Sequence, residues 1–301
     1  MCKKGIEMEG WENVKGFQCV RAGKFPEDCS TAVMVYAKPY IYQLRWRHLE
    51  RYNPENDTWY GYPGVAVLPE IVGPGAGMVY DGKEFLYITR GGRLTDFYRY
   101  EIKTGKIEKL SPLPYYKPIG IGGCLAYGDG YIYCLRGDNS PDFLRYDIKE
   151  DKWEELPPLD VPSSLYIGAQ CTGLVYIDKY LLAWPDHHVR RFDVEKCAWD
   201  KECFACTFRP SVNGCMFAYD EKGGKVYIVQ GNYSMTIGRL DLKTKKFSYL
   251  SPRLPDVVSV PGNRLVVAEV NGVDYLYLYR GHATHEFWKI RIDALEEIAT
   301  I

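Results

Sequence analysis

The 301-residue sequence predicts an all-β protein that folds as a six-bladed β-propeller with four antiparallel strands in each blade. Three observations predict this fold. A unit consisting of a strand pair, a third strand and a fourth strand recurs six times along the chain. The 26 tyrosines suit the half-buried surfaces of strands. Apolar residues follow no helical period, and repeated units of four short strands are typical of propellers.

The first two strands of each unit are a predicted hairpin. In chain order, the six copies are residues 34–36 with 40–45, 78–80 with 85–90, 125–127 with 131–136, 174–176 with 180–184, 217–219 with 226–230, and 266–268 with 275–280. Turns rich in glycine and aspartate, such as Asp81-Gly82 and Gly128-Asp129-Gly130, separate the two strands. Such turns connect adjacent antiparallel strands.

The third strand carries a basic residue at one fixed position, and the fourth strand opens on a bulky side chain. The basic residues are Arg51, Arg99, Arg145, Arg191, Arg239 and Lys289. The bulky residues are Trp59, Ile107, Trp153, Trp199 and Phe247, which are 48, 46, 46 and 48 residues apart. This regular spacing predicts one blade per unit.

The chain is predicted to be a single propeller domain over 1–301, and two segments compete for the last outer strand. The predicted blades are at about 29–63, 75–114, 121–160, 169–208, 213–255 and 264–301. Residues 11–14 resemble residues 153–156 and begin 48 residues before Trp59, whereas residues 296–301 follow the last third strand. We expect residues 10–15 to close the last blade, because this removes free strand edges.

Glycines after the second strand resemble those of the kelch repeat, in which two glycines occupy this place. Gly91-Gly92 keeps both, Gly137, Gly231 and Gly281 keep one, and blades one and four keep none. Residues 133–147 contain Tyr-x-Leu-Arg-Gly followed by Asp-Phe-x-Arg-Tyr-Asp, and they resemble a kelch-like subgroup of microbial surface and secreted proteins. The chain is more distantly similar to sialic-acid mutarotases and to the galactose oxidase propeller. The resemblance implies the fold and leaves the function open, because propellers host unrelated activities.

Charge and hydropathy argue against two classes of partner. The chain has 38 basic and 39 acidic residues and a net charge of −1, which gives no electrostatic basis for binding nucleic acid. No apolar run approaches the roughly 20 residues that a transmembrane helix needs. Residues 1–7 lack the apolar stretch of a secretory signal, so a chain that natively begins at Met1 is expected in the cytoplasm. The alternative is a secreted or cell-surface protein whose signal or anchor was removed.

Candidate ligand-binding residues lie at the end of the second strand, on the predicted loop face around the channel. The aligned residues are Arg45, Arg90, Arg136, Trp184, Gln230 and Arg280. Four guanidiniums near one axis would bind a carboxylate, sulfate or phosphate by forked hydrogen bonds. The alternative is that each arginine supports its own blade, pairing with Asp96, Asp138 or Asp142 and with nearby carbonyls. Trp184 and Gln230 break the series and predict a distinct contribution from blades four and five.

Histidines and cysteines in the same loops are candidate metal ligands or a thiol pair. His48 in blade one and His282 and His285 in blade six would be neighbours in a closed ring, with three nitrogens available for zinc, copper or iron. The alternative is that they are polar loop residues, and no cofactor is expected. Cys203-x-x-Cys206 has the spacing of a metal or redox pair, with a local disulfide or free thiols as the alternative.

The sequence therefore favours a non-catalytic binding module that recognises a protein or a glycan through the loops around the channel. Arginine, tyrosine and tryptophan, which are frequent in these loops, are enriched in binding hot spots. The alternative is a small-molecule enzyme of the sialic-acid mutarotase or carbohydrate-oxidase type, acting on an acidic sugar in the channel mouth.

Overall fold

The structure, a computed structural model, describes residues 10–14, 32–60, 64–159, 173–185, 188–200, 204–205, 215–231, 233–256, 264–280 and 286–300. Six antiparallel sheets of four or five strands form the six blades. The predicted all-β, six-bladed propeller is confirmed. No helix in these ranges is long and apolar enough to cross a bilayer.

The strands follow the order that the repeat predicts. The first strand, β1 (Glu12–Asn13), belongs to blade 6. Blade 1 contains β2 (Ala32–Ala37), β3 (Tyr40–Arg45), β4 (His48–Asn53), β5 (Thr58–Tyr60) and the short β6 (Ala66–Val67). Blade 2 contains β7 (Gly77–Tyr80), β8 (Phe85–Thr89), β9 (Phe97–Glu101) and β10 (Ile107–Lys109). Blade 3 contains β11 (Cys124–Gly128), β12 (Tyr131–Gly137), β13 (Ser140–Asp147) and β14 (Lys152–Leu156).

The second half of the ring repeats this plan, and a strand from the end of the chain is added to blade 5. Blade 4 contains β15 (Gly173–Ile177), β16 (Tyr180–Trp184), β17 (His188–Asp193), β18 (Ala198–Trp199) and the short β19 (Phe204–Ala205). Blade 5 contains β20 (Met216–Asp220), β21 (Lys225–Val229), β22 (Ile237–Asp241) and β23 (Lys246–Ser251). Blade 6 contains β24 (Leu265–Val270), β25 (Val273–Tyr279) and β26 (Phe287–Arg291). A 3₁₀ turn at Ile292–Ala294 leads to β27 (Glu296–Thr300), which joins blade 5.

The first strand of each blade lies at the centre of the ring. These strands contact one another in the order β2, β7, β11, β15, β20, β24 and back to β2. They therefore enclose a central channel. Apolar clusters fill the spaces between neighbouring blades, as between blades 1 and 2, where Val33, Leu44, Met78 and Ile88 pack together. The core thus consists of six interfaces rather than one central mass.

The N-terminal strand closes the ring. Glu12 pairs with Lys289 and Asn13 pairs with Trp288, which makes β1 the outer strand of blade 6. Trp11, only 4% exposed, packs into the cluster between blades 5 and 6. The outer strand of the last blade thus comes from the start of the chain, so the closing contacts are made between residues distant in sequence.

The C-terminal strand has a different place from the one implied by a last blade at 264–301. β27 pairs with β23 and adds a fifth strand to blade 5. The place in blade 6 is already filled by β1, so the last segment pairs with the neighbouring outer edge. Glu297 of β27 forms an ion pair with Arg239. The residue opposite Arg239 on β23 is Ser248, so the fourth strand of blade 5 supplies no carboxylate at this position.

The bulky residue of the fourth strand connects each blade to the preceding one. The ring of Trp153 lies 5.1 Å from that of Phe97 in blade 2, and the ring of Trp199 lies 5.2 Å from that of Phe143 in blade 3. Each indole N–H donates to a carbonyl in the connection after the preceding blade, at 3.0 and 2.9 Å. A large side chain is needed once per blade for this contact, which explains the regular spacing in the sequence.

The fixed basic residue of the third strand stabilises its own blade. Arg145 lies 2.9 Å from Glu154 on the fourth strand, and its guanidinium carbon lies 4.7 Å from the centre of the Tyr131 ring on the second strand. An ion pair and a cation–π contact thus hold three strands together. Equivalent carboxylate pairs are Arg99 with Glu108, Arg191 with Asp200, and Lys289 with Glu12.

Candidate functional site

The ring has a loop face and a turn face. On the loop face, the blade-to-blade connections hydrogen-bond to the loops between second and third strands. Val72 N–H donates to Trp46 O at 2.6 Å, and Leu113 N–H donates to Thr95 O at 2.9 Å. The opposite end of each blade carries the tight turns between first and second strands, and this end is the turn face. The loop face is the one on which the sequence places its candidate site.

Each of the four arginines at the ends of the second strands forms an ion pair with a carboxylate of its own blade. Their side chains are 16–19% exposed. The pairs are Arg45 with Glu50 at 2.7 Å, Arg90 with Asp96 at 2.9 Å, Arg136 with Asp142 at 3.3 Å, and Arg280 with both Glu286 at 2.5 Å and Asp256 at 2.8 Å. Pairing with Asp96 and Asp142 is what the supporting interpretation predicts, whereas Asp138 pairs with Arg93 instead. A ligand-binding role for these arginines stays a prediction.

Trp184 does not belong to the arginine series, and its alignment with Arg136 is wrong by one residue. Strand pairing with the third-strand arginine aligns blade 4 with blade 3 so that Pro185 is equivalent to Arg136, and Trp184 is equivalent to Leu135. Trp184 is fully buried, with its ring 5.3 Å from that of Phe217 in blade 5. It is a core side chain between blades 4 and 5 rather than a residue of the loop surface.

Gln230 lies where the sequence places it and organises the loop that follows it. Its backbone N–H donates to Thr236 O at 3.1 Å, and its side-chain oxygen accepts a hydrogen bond from Ser234 Oγ at 3.2 Å. These bonds close the loop between the second and third strands of blade 5. Contact of Gln230 with a ligand stays a prediction.

The candidate metal and thiol residues are only partly within the described chain. His48 begins β4 and pairs with Val67 of β6. His282, His285, Cys203 and Cys206 lie outside the described residues, so the metal site and the thiol pair stay predictions. Within the ranges that the structure covers, no group of three or more His, Cys, Asp or Glu side chains has a metal-binding arrangement.

The central channel has a volume of about 550 Å³, within the usual range of ligand sites. Its walls are the first strands of all six blades, and none of the arginines at the second-strand ends is among the lining residues. The turn-face end of the channel carries five half-buried tyrosines, here called the tyrosine ring: Tyr36, Tyr80, Tyr127, Tyr176 and Tyr219. Sequence reasoning missed this site. Its signal was a tyrosine in the third place of five first-strand copies.

Two tyrosines of the tyrosine ring are fixed by hydrogen bonds to a neighbouring blade. Tyr36 donates to the carbonyl of Glu269 in blade 6 at 3.0 Å, and Tyr176 donates to Asp129 in blade 3. Burial, followed by the charges of Glu269, Glu55 and Asp274, raises the pKa of Tyr36 to about 12. Burial and the bond to Asp129 likewise raise the pKa of Tyr176. These hydroxyls are therefore neutral donors at physiological pH.

Exposed apolar side chains concentrate on the loop face. Of eight large apolar residues that are exposed within the described part of the chain, six lie in loop-face connections. They are Val67, Ile71, Leu94, Tyr115, Tyr116 and Tyr233. Leu94, Tyr115 and Tyr116 lie at the junction of blades 2 and 3, and Ile71 lies in the connection from blade 1 to blade 2, where its carbonyl accepts a hydrogen bond from Arg90 Nε at 2.8 Å. We name Ile71, Leu94, Tyr115 and Tyr116 the apolar loop patch. The other two, Tyr60 and Ile298, lie on outer strands.

Comparison with known proteins supports the fold alone. No family model and no curated protein sequence matches the chain. A structural genomics protein of unknown function from Bacteroides thetaiotaomicron VPI-5482 is similar in structure, with a TM-score of 0.58, 15% sequence identity, and coverage of 89% of this chain and 70% of that one. The structure of YjhT gives a TM-score of 0.52 and 14% identity, covering 67% of this chain and 71% of that one. The class of protein that fold and comparisons define is a six-bladed β-propeller, and the kelch resemblance stays a prediction.

Proposed function

We propose that the chain is a binding module that docks a protein partner on its loop face. The observation that carries the proposal is the apolar loop patch. Tyr115 is 87% exposed, Tyr116 56% and Ile71 54%, whereas isoleucine is usually buried and tyrosine is usually at least half-buried. Exposed apolar side chains that are grouped on one face of a domain mark interaction sites. Tyrosine in particular supplies large contact area with few rotatable bonds, and it is enriched in interface hot spots.

The backbone beneath the patch is well supported, which favours binding. Arg93 N–H donates to Ile119 O at 3.0 Å, and Gly73 N–H donates to Arg90 O at 2.8 Å. Tyr116 donates to Glu155 at 2.9 Å and lies edge-on to Tyr115 at 5.2 Å. A preorganised surface loses little conformational entropy when a partner docks. The patch therefore presents its apolar side chains at a low ordering cost.

A protein is preferred to a glycan because Ile71 and Leu94 are aliphatic. Sugars are held by stacking on aromatic rings and by hydrogen bonds, and branched aliphatic side chains offer neither. Glycan binding, the second ligand class that the sequence leaves open, is therefore an outcome of the test. The enzyme alternative, mutarotation or oxidation of an acidic sugar, stays a prediction that a turnover assay with such sugars would examine.

The test compares the wild type with a patch variant, Ile71→Ser/Tyr115→Ser. The matched control is Ile298→Ser, because Ile298 is 58% exposed but lies on the outer strand β27. Partners captured by the wild type are purified and their affinities measured directly. We expect the patch variant to lose at least roughly tenfold in affinity, since each hot-spot side chain contributes more than about 1 kcal/mol. The control should bind as the wild type does.

Two outcomes would overturn the proposal. One is a purified partner that binds the patch variant normally and the Ile298→Ser variant poorly. The other is a glycan array in which the wild type binds a sugar and the patch variant does not, while no protein binds. The second outcome would replace the protein by a glycan at the same surface.

A further inference from the structure

The central channel changes in character from its middle to its turn-face end. The middle is apolar, with Val79, Leu125, Val175 and Val266 among its lining residues. The turn-face end has the tyrosine ring and then a rim of charged residues at the turns of blades 5 and 6. A ligand that fills this channel must therefore have an apolar body and a polar head.

The charge of the rim is negative. The charged lining residues within the described chain are four acids and one base: Asp220, Glu221, Glu269, Asp274 and Lys222. Asp220 is 6% exposed and accepts a hydrogen bond from Gly223 N–H at 2.8 Å, so it is fixed in place. The rim thus favours a cationic head group over a neutral or anionic one.

A lysine of the protein itself shows what the rim binds. The ammonium of Lys222 lies 3.6 Å from Asp274 and 3.7 Å from Glu269, and that of Lys38 lies 3.6 Å from Glu269. These separations are longer than a direct hydrogen bond, and the Lys222 side chain is 64% exposed. Such contacts are weak, because water solvates an exposed ammonium well. A ligand cation seated deeper in the channel can therefore displace Lys222.

The tyrosine ring suits the same head group. The hydroxyls of Tyr36 and Tyr80 donate to the carbonyls of Glu269 and Lys83, which leaves their phenolic oxygens able to accept hydrogen bonds from an ammonium. Burial, followed by the charges of Glu221, Asp178 and Asp220, raises the pKa of Tyr219, as burial and Glu269 do for Tyr36. The field of the carboxylates thus reaches the ring while the tyrosines stay neutral.

We infer that the turn-face end of the channel binds an organic cation with an apolar body, with its ammonium among the tyrosine ring and the rim carboxylates and its body in the apolar middle. This site is on the opposite end of the ring from the apolar loop patch. It therefore does not depend on the proposed docking function.

The first test uses three compounds that share one body and differ in the head: phenylbutylamine, phenylbutanol and phenylbutyrate. Isothermal titration of the full chain should show the amine binding at least about fivefold more tightly than the alcohol, and the carboxylate more weakly than both. Butylamine should bind more weakly than phenylbutylamine, because it buries less apolar surface. Equal affinities for amine and alcohol, preference for the carboxylate, or no binding of the amine would each overturn the inference.

The second test uses variants with opposite expected signs. Asp274→Asn should weaken phenylbutylamine binding about three- to fivefold, whereas Lys222→Met should strengthen it by a similar factor because a competing ammonium is gone. Glu150→Gln, a 64%-exposed carboxylate on the turn of blade 3, is the matched control and should have no effect. A weaker amine affinity in Lys222→Met would refute the site, since both side chains are on the surface and folding should survive each change.

An aromatic substitution tests the tyrosine ring directly. Tyr127→Phe keeps the ring but removes the phenolic oxygen, so we expect amine affinity to fall about two- to fivefold while alcohol affinity changes less, because hydrogen bonds to charged groups are stronger. Tyr115→Phe removes a hydroxyl from the loop face and should bind as the wild type does. An equal loss for both head groups in Tyr127→Phe would show a general packing defect rather than recognition of a cation.

Discussion

Replacement of Arg45 by methionine separates a supporting role of the arginine series from a ligand-binding role. Arg45 Nη2 lies 2.7 Å from Glu50 Oε1 and 2.9 Å from Oε2, and the two side chains are 17% and 7% exposed. Removing one partner of a buried ion pair leaves an uncompensated charge and costs about 3–5 kcal/mol. Since part of the Arg45 side chain reaches solvent, we expect a loss near the lower end, about 3 kcal/mol, in the free energy of unfolding by urea.

Two controls make this prediction refutable. The double variant Arg45→Met/Glu50→Gln removes the orphaned charge, so it should recover about 2 kcal/mol of the loss. Arg93→Met removes a pair whose arginine is 72% exposed and should leave stability close to that of the wild type. If Arg45→Met costs no more than Arg93→Met, Arg45 does not support its blade.

Three further predictions concern packing, ring closure and pH. Gly128→Ala should lower the free energy of unfolding by about 2–3 kcal/mol, because its Cβ would lie 2.3 Å from a tyrosine ring of blade 4. Gly105→Ala, which has open space around it but φ +74°, should cost about 1 kcal/mol, and equal losses for the two variants in urea unfolding would contradict this prediction. Trp11→Ala should cost about 3–5 kcal/mol if β1 closes the ring, and an unchanged melting curve would show that it does not. Hydrogen bonding to Lys109 lowers the pKa of Asp96 in the folded protein. The stability lost in Asp96→Asn should therefore be greatest above about pH 4 and should shrink as the pH falls further, and a loss that does not depend on pH would contradict this prediction.

The fold was predictable because each blade repeats the same local requirements. A tight turn, a basic residue on the third strand and a large fourth-strand side chain recur together, because each blade needs all three for its own packing and for contact with the preceding blade. The position of β27 was harder to predict from the sequence. Its sequence suits any outer edge, and only the occupation of blade 6 by β1 directs it to β23.

The site was harder to predict than the fold. The sequence aligns Trp184 with Arg136 because both end a predicted second strand. Register is set by hydrogen bonding to the neighbouring strand, which makes Pro185 equivalent to Arg136. In the sequence, the tyrosine ring appears only as a tyrosine that recurs at one position of the first strand. Whether a tyrosine at that position lines a channel or fills an interface depends on how neighbouring blades meet, and that is a property of the closed ring.

The most direct test of the central claim, that the loop face is the binding surface, is hydrogen exchange of the protein alone and with its purified partner. We expect slower exchange on binding at residues 68–76, 92–95 and 113–119, which carry and support the apolar loop patch. We expect no change at the turn-face residues 81–84, 128–130 and 221–224. Protection confined to the turn-face residues, with the loop-face segments unchanged, would contradict this claim.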